Sequence, residues 1–207
     1  MTVNRAMSET LTLTSLVAPT SHRGILEAAD TLFTEHSIAF VTLDAVADRA
    51  GVPLSDVTSA YGTKRDLLIA VLAYKHQGWV RRLERNRERT DDPRDEILET
   101  FSYLEECFAD TTWRGCCFVN AYAEVGREDE QIARLATEHF EEVERHMSAL
   151  SVEANLPQYV ADALTLLIQG ARAEAGIHHT SSPARSARLA AAMLMSVYKA
   201  EPDSDIF

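Results

Sequence analysis

Cys107 and the adjacent Cys116 and Cys117 are the chain's three thiols. Their number and spacing fit neither a disulfide framework nor a four-ligand zinc site, and reduced, buried thiols are the plain reading. Neighbouring cysteines can also close a strained vicinal disulfide that senses redox state, so this alternative stands beside it. His178 and His179 are consecutive, whereas two histidines sharing a metal from one helix are separated by three residues. No Ser, His and Asp arrangement suggests hydrolysis. The expectation is a protein that is not an enzyme and needs no metal or cofactor. Phe101, Phe108, Trp113, Phe118, Tyr122 and Phe140 supply aromatic surface, with Asn120, Glu124, His139, Gln169 and Arg172 as polar groups nearby in sequence order. A mostly apolar cavity with a few placed polar groups is what a small-molecule site requires. Phe101, Trp113, Phe118, Asn120, Tyr122 and Arg172 are therefore the candidate ligand-binding residues, although each aromatic alone also fits core packing. Arg172 lies among small residues of an otherwise apolar segment, where it can meet either an anionic ligand or Glu124.

The elements that must position these groups read as helices. Ile25, Ala28, Ala29, Leu32, Phe33 and His36 recur at spacings of three and four, the period of one helix face. Thr42 can cap a short helix that ends at Gly51, with Asp44 near its positive end. Pro53 suits the first turn of a second short helix over 54–60, and Thr63 with Asp66 forms a capping box for a long helix from Lys64 to about Arg89. Five further helices are expected near 94–110, 116–126, 129–151, 158–178 and 184–200, separated by breaks such as Asn155-Leu156-Pro157 and Ser181-Ser182-Pro183. Residues 1–20 read as a disordered arm and 201–207 as a tail. No alternating strand pattern and no repeat is present, so the fold class is all-α.

At 207 residues and 46% hydrophobic the chain can bury a sizeable core. No apolar run is long enough for a membrane helix and no secretory signal is recognisable, which points to the cytoplasm. The net charge of −12 is unevenly placed. Residues 1–90 hold 11 Lys/Arg against 10 Asp/Glu, whereas residues 91–207 hold 9 against 22. The N-terminal piece can thus approach a polyanion while the C-terminal piece does something else. Arg81, Arg82, Arg85, Arg87 and Arg89 resemble a basic stripe, but Glu84, Glu88 and the acidic second part offer them ion-pair partners.

Two short helices joined by a glycine turn, with Val46 and Ala47 facing Val57, make a helix-turn-helix whose second helix can enter a major groove. The stretches from Ile25 to Phe33, from Val41 to Val52 and from Tyr61 to Leu68 resemble, in order and spacing, the N-terminal domain of the TetR (tetracycline-repressor) family. The likeness covers roughly residues 21–72. Gly115 to Ala121 and Ala163 to Ala171 are similar, more loosely, to C-terminal domains of that family.

The resemblance implies about nine helices: a three-helix DNA-binding domain over 21–66, then a larger effector-binding and dimerisation domain over 67–200. It implies a dimer that represses by binding double-stranded operator DNA and is released by a small-molecule effector. Carried over by position, the DNA-facing residues are Thr42, Ser55, Thr58, Ser59, Tyr61 and Lys64. Hydroxyls and helix amides can bond phosphate oxygens, and Lys64 adds charge attraction. This chain departs from the family pattern at Pro53, where a Ser cap is usual, and at Thr58, where an aromatic phosphate contact is usual. Asp56 adds negative charge to the reading helix, and residues 22–76 sum to −2. The alternative is a regulator-like ligand- or protein-binding module without specific DNA binding. A homodimer is expected through 158–200, where alanines allow close approach and Leu164, Leu167, Ile168, Leu194, Met195 and Val197 offer apolar surface.

Overall fold

The computed structural model describes residues 12, 13, 16, 22–110 and 113–198. Every regular element among them is helical: α1 (Arg23–Glu35), α2 (Leu43–Ala50), α3 (Leu54–Ala60), α4 (Lys64–Arg87), α5 (Pro93–Phe108), α6 (Cys117–Ala121), α7 (Glu130–Glu153), α8 (Gln158–His178) and α9 (Ser182–Ser196). The tail at 201–207 and most of the arm at 1–20 lie outside the described residues. Leu13 does not read as a free arm: it is buried, its N–H donates to Glu138 Oε2 at 2.8 Å, and the Leu16 carbonyl accepts from Gln77 at 2.5 Å.

Local chemistry sets the boundaries. Thr42 Oγ1 accepts the Ala45 N–H at 3.2 Å, and Gly51 ends α2 with φ 67°, the left-handed region glycine enters without penalty. Thr63 Oγ1 accepts the Asp66 N–H at 3.1 Å and donates to the Asp66 carboxylate at 2.7 Å, which starts α4. Pro53 stands one position earlier than expected, at the N-cap of α3. Where a single helix over 116–126 is expected, α6 instead gives way to a π-helical turn, Tyr122–Gly126. Its geometry depends on Gly126, because a Cβ there would come 3.0 Å from the Tyr122 ring.

Two cores form. One gathers Leu26, Val46, Val57, Leu67 and Leu72 of the N-terminal bundle with Phe118, Ile132 and Leu135. The other gathers Trp79, Ile97, Phe101, Met147, Leu164, Ile168 and Ala191. Helices α4 and α7 contribute to both and so span the two parts. Helix α9 packs on α5 and α8. Leu164, Ile168 and Met195, expected at a subunit surface, are instead buried within the chain, because they line the seam of α8 and α9 with their own core. Leu166 and Ile177 of α8, Leu189 and Met193 of α9, and Val197 just after it are exposed. No helix among the described residues is long and apolar enough to cross a membrane.

Candidate DNA-binding face and effector cavity

Four of the six expected DNA-facing residues, at the start of α2 and on α3, are exposed at the surface. Ser55, Thr58 and Ser59 are exposed on α3, and Thr42 is exposed at the N-cap of α2. The Thr58 hydroxyl turns back onto the Leu54 and Ser55 carbonyls at 3.1 and 3.2 Å, and Ser55 donates weakly to Asp56 at 3.4 Å. Tyr61 is not on this surface. Its ring is 6% exposed and packs edge-on against His22, and its hydroxyl is shielded without a partner. The residue position matches the motif, but the chain leaves α3 with extended geometry at Tyr61 and turns the ring inward. Lys64 is half-buried, and its ammonium donates to the carbonyls of Ile38 at 2.9 Å and Ala39 at 2.8 Å. It therefore pins the loop between α1 and α2 as well as carrying charge at this face. Phe40, in that loop, is 84% exposed, an exposed aromatic that motif matching does not single out.

Two arginines of the stripe at 81–89 reach the second domain. Arg82 meets Glu106 at 2.7 Å and Arg87 meets Glu153 at 2.8 Å. Arg81, Arg85 and Arg89 remain exposed.

A cavity of about 440 Å³, within the range of small-molecule sites, is lined by residues of α1, α4, α5, α7 and α8. Of the six expected ligand residues, Trp113, Phe118 and Arg172 line it. Phe101 does not, being fully buried in the second core. Asn120 instead donates to the Arg114 carbonyl at 3.2 Å, and Tyr122 is 48% exposed beside Gly126. The wall also includes Lys75 and Trp79 from α4, Tyr103 and Cys107 from α5, His139 from α7, and Cys116 and Cys117. Lys75 with Trp79, and Tyr103 with Cys107, stand at the i, i+4 spacing that puts both on one helix face; the spacing is plain in the sequence but carries no marker of a cavity. Phe118 stacks on His139 at 3.9 Å. The proximity of Gly115 to α8 depends on Gly176, since a Cβ there would fall 2.9 Å from Gly115 Cα.

All three thiols are free. Burial pushes the Cys107 and Cys117 thiols up, which disfavours the nucleophilic thiolate. Burial opposes the charge on Lys75, but Asp30 at 2.8 Å, together with Cys117 and Tyr103, more than offsets it and raises its basicity. Arg172 has neither of its expected alternatives filled. Glu124 is engaged elsewhere, and Arg172 Nη1 is buried with no hydrogen-bond partner.

Glu124 is the group that joins the two sites. Its Oε2 accepts the Ser37 hydroxyl at 2.6 Å and the Ile38 N–H at 2.7 Å, in the loop whose carbonyls hold Lys64. A second clasp runs from Arg65 to Asp129, with a bond of 2.9 Å to Oδ1 and a shorter one to Oδ2. Asp129 is also the N-cap of α7, accepting the Gln131 and Ile132 N–H groups. The loop before α2 and the start of α4 are thus tied to the chain segment that continues from the cavity wall at Phe118.

Comparison with known proteins agrees with this arrangement. Residues 25–71 match the model for bacterial regulatory proteins of the tetR family. These residues therefore carry a tetR-type helix-turn-helix domain. HTH-type transcriptional regulator YjdC of Escherichia coli is 27% identical over 155 residues, spanning 70% of this chain and 78% of its own. A TetR-family transcriptional regulator from Streptomyces coelicolor, SCO4454, superposes with a TM-score of 0.78 at 17% identity, covering 86% of this chain and 95% of its own. Regulatory protein TetR from Rhodobacter sphaeroides gives 0.74 at 20% identity, over 85% and 99%. At these identities the solved structures establish the fold, a helix-turn-helix domain followed by a larger helical one.

Proposed function

We propose that this TetR-family regulator is a dimeric repressor that binds operator DNA and is released when a small molecule enters the cavity. The observation that carries this reading is the Glu124 contact. The segment that begins at the cavity wall with Cys116, Cys117 and Phe118 continues through α6 into the π-helical turn, and Glu124 on that turn grips Ser37 and Ile38 next to Lys64. A ligand that displaces Phe118 therefore acts on the loop that orients α2. In this reading Ser55, Thr58, Ser59 and Thr42, which are exposed, touch DNA, and Lys64 supplies charge once the loop is docked on phosphate. Tyr61 serves this domain from its interior.

The experiment is selection of genomic fragments by the full-length protein, followed by titration at several salt concentrations. Wild type is expected to select discrete fragments with affinity that falls steeply with salt. Lys64→Ala is expected to weaken binding on every sequence and to reduce the salt slope by about 1 for each phosphate it leaves without a neutralising charge. A second reading has its own support: α3 has no basic residue, Asp56 is exposed on it, and the Lys64 ammonium is occupied by backbone carbonyls. A regulator-shaped module without specific DNA binding is the conclusion if wild type selects no fragment at low salt and Lys64→Ala changes nothing.

A further inference from the structure

The charged groups around the cavity are not all paired. Lys75 is matched by Asp30 at 2.8 Å, and Glu106 by Arg82 at 2.7 Å. Asp110 stands at the rim, exposed to solvent. Arg172 lines the same cavity, is 7% exposed, and forms no ion pair among the described residues. Its Nη1 is buried with no acceptor. Leaving a buried guanidinium hydrogen unpaired costs free energy that folding alone gives no reason to spend. Trp113 Nε1, in the same wall, is also buried without an acceptor. Both groups are donors only, so the cavity presents hydrogen-bond donors and awaits acceptors. Around them stand Trp79, Leu104, Phe118 and the Trp113 ring itself. Burial, reinforced by the Arg172 charge, keeps His139 neutral, so the imidazole adds no second cation.

We propose that the effector is a monoanionic carboxylate on an apolar, ring-sized or short-chain body, its carboxylate held by Arg172 and Trp113 and its body lodged against Trp79, Leu104 and Phe118. One unmatched positive charge selects a monoanion over a phosphate dianion, and a guanidinium offers a carboxylate two parallel N–H donors. The small volume excludes extended lipids. The inference rests on the reading of the cavity as an effector site and adds the chemical class of the effector.

Trp79 and Trp113 are the chain's two tryptophans, and both line the cavity, so intrinsic emission reports its occupation. The test titrates the full-length protein with hexanoate, benzoate, phenylacetate and indole-3-acetate, each beside its own primary amide, following emission and confirming by calorimetry. At least one acid is expected to bind wild type about ten- to a hundred-fold more tightly than its amide, the span of a charge-assisted bond. Arg172→Gln is expected to erase that preference, lowering the acid's affinity to the level of its amide while the amide still binds, and Arg172→Lys to restore part of it. The amide serves as the control that the Arg172→Gln cavity is folded. Equal binding of acid and amide by wild type, or a preference that survives in Arg172→Gln, overturns the carboxylate assignment and leaves the cavity as a site for neutral effectors. If no acid or amide alters the emission, both the carboxylate assignment and the effector reading fall, whereas failure of DNA selection bears only on the repressor reading.

Discussion

Trp79 sits against three imidazoles, with ring centroids 5.8 Å from His76, 5.5 Å from His139 and 5.9 Å from His146. His76 and His139 also meet through their Nδ1 atoms at 3.2 Å, an arrangement in which one nitrogen donates and the other accepts only if the two rings are not both charged. Burial lowers all three basicities. For His76 the carboxylates of Glu142 and Glu138 pull the other way and Arg145 adds to the lowering; for His139 Arg172 and His76 add to it; His146 is lowered to about 4, with Arg87 adding to the burial. In the unfolded chain these groups titrate near 6.5. Between there and their folded values the unfolded state binds more protons, so stability falls as pH falls. Thermal midpoint is expected to drop steadily between pH 7 and pH 5, above the range of ordinary carboxylates. Each lowered unit of pKa is worth about 1.4 kcal/mol when fully expressed. Glu96, raised by its own burial, opposes the trend; comparing wild type with His146→Gln isolates the imidazole part, and the variant is expected to show the flatter profile. Parallel profiles would show that His146 is not neutral in the folded protein.

At the scale of elements, the helix ends are written in single residues. Thr42, Gly51 and the Thr63 and Asp66 pair act through contacts within four positions, which spacing alone conveys. Contacts between distant segments are not legible in that way. Tyr61 matches the motif in type and place, yet the way the chain leaves α3 turns its ring inward. Glu124 and Arg172 offer a plausible charge pair in sequence; the fold sends Glu124 to a loop 86 residues away and leaves Arg172 in the cavity wall. Phe101 and Trp113 are both aromatics of the same region, and only packing distinguishes the core residue from the one that lines space. The π-helical turn has a sequence cue only in Gly126, whose missing Cβ makes room for the Tyr122 ring. This turn carries Glu124, and coupling between two sites requires an element whose state both bias. Glu124→Ala is expected to leave operator affinity and ligand affinity each within a few-fold of wild type while shrinking the effect of one on the other, from a typical coupling of about 5- to 150-fold toward none. An unchanged coupling in Glu124→Ala would move the connection to the Arg65 and Asp129 clasp.

At the scale of the whole molecule, the two parts share α4 and α7 but differ in charge, +1 over residues 1–90 and −13 over residues 91–207. In the proposed repressor this keeps most of the repulsion from DNA away from α3, and a dimer would duplicate the phosphate contacts of the weakly charged face. Leu166, Ile177, Leu189, Met193 and Val197 leave an apolar surface on α8 and α9 that a single chain does not cover. Sedimentation is expected to give a dimer at micromolar concentration, and Leu189→Glu with Met193→Glu to give a folded monomer with sharply reduced operator affinity. A monomeric wild type would remove the dimer from the account. The central claim is that cavity and DNA-binding face are two ends of one equilibrium, and linkage makes this measurable from either end. The decisive measurement is the affinity of the selected operator duplex with and without a saturating carboxylate, set against the affinity of that carboxylate with and without saturating duplex. The account predicts that each ligand weakens the other by the same factor. Equal operator affinity in the presence and absence of a carboxylate that demonstrably fills the cavity would contradict it.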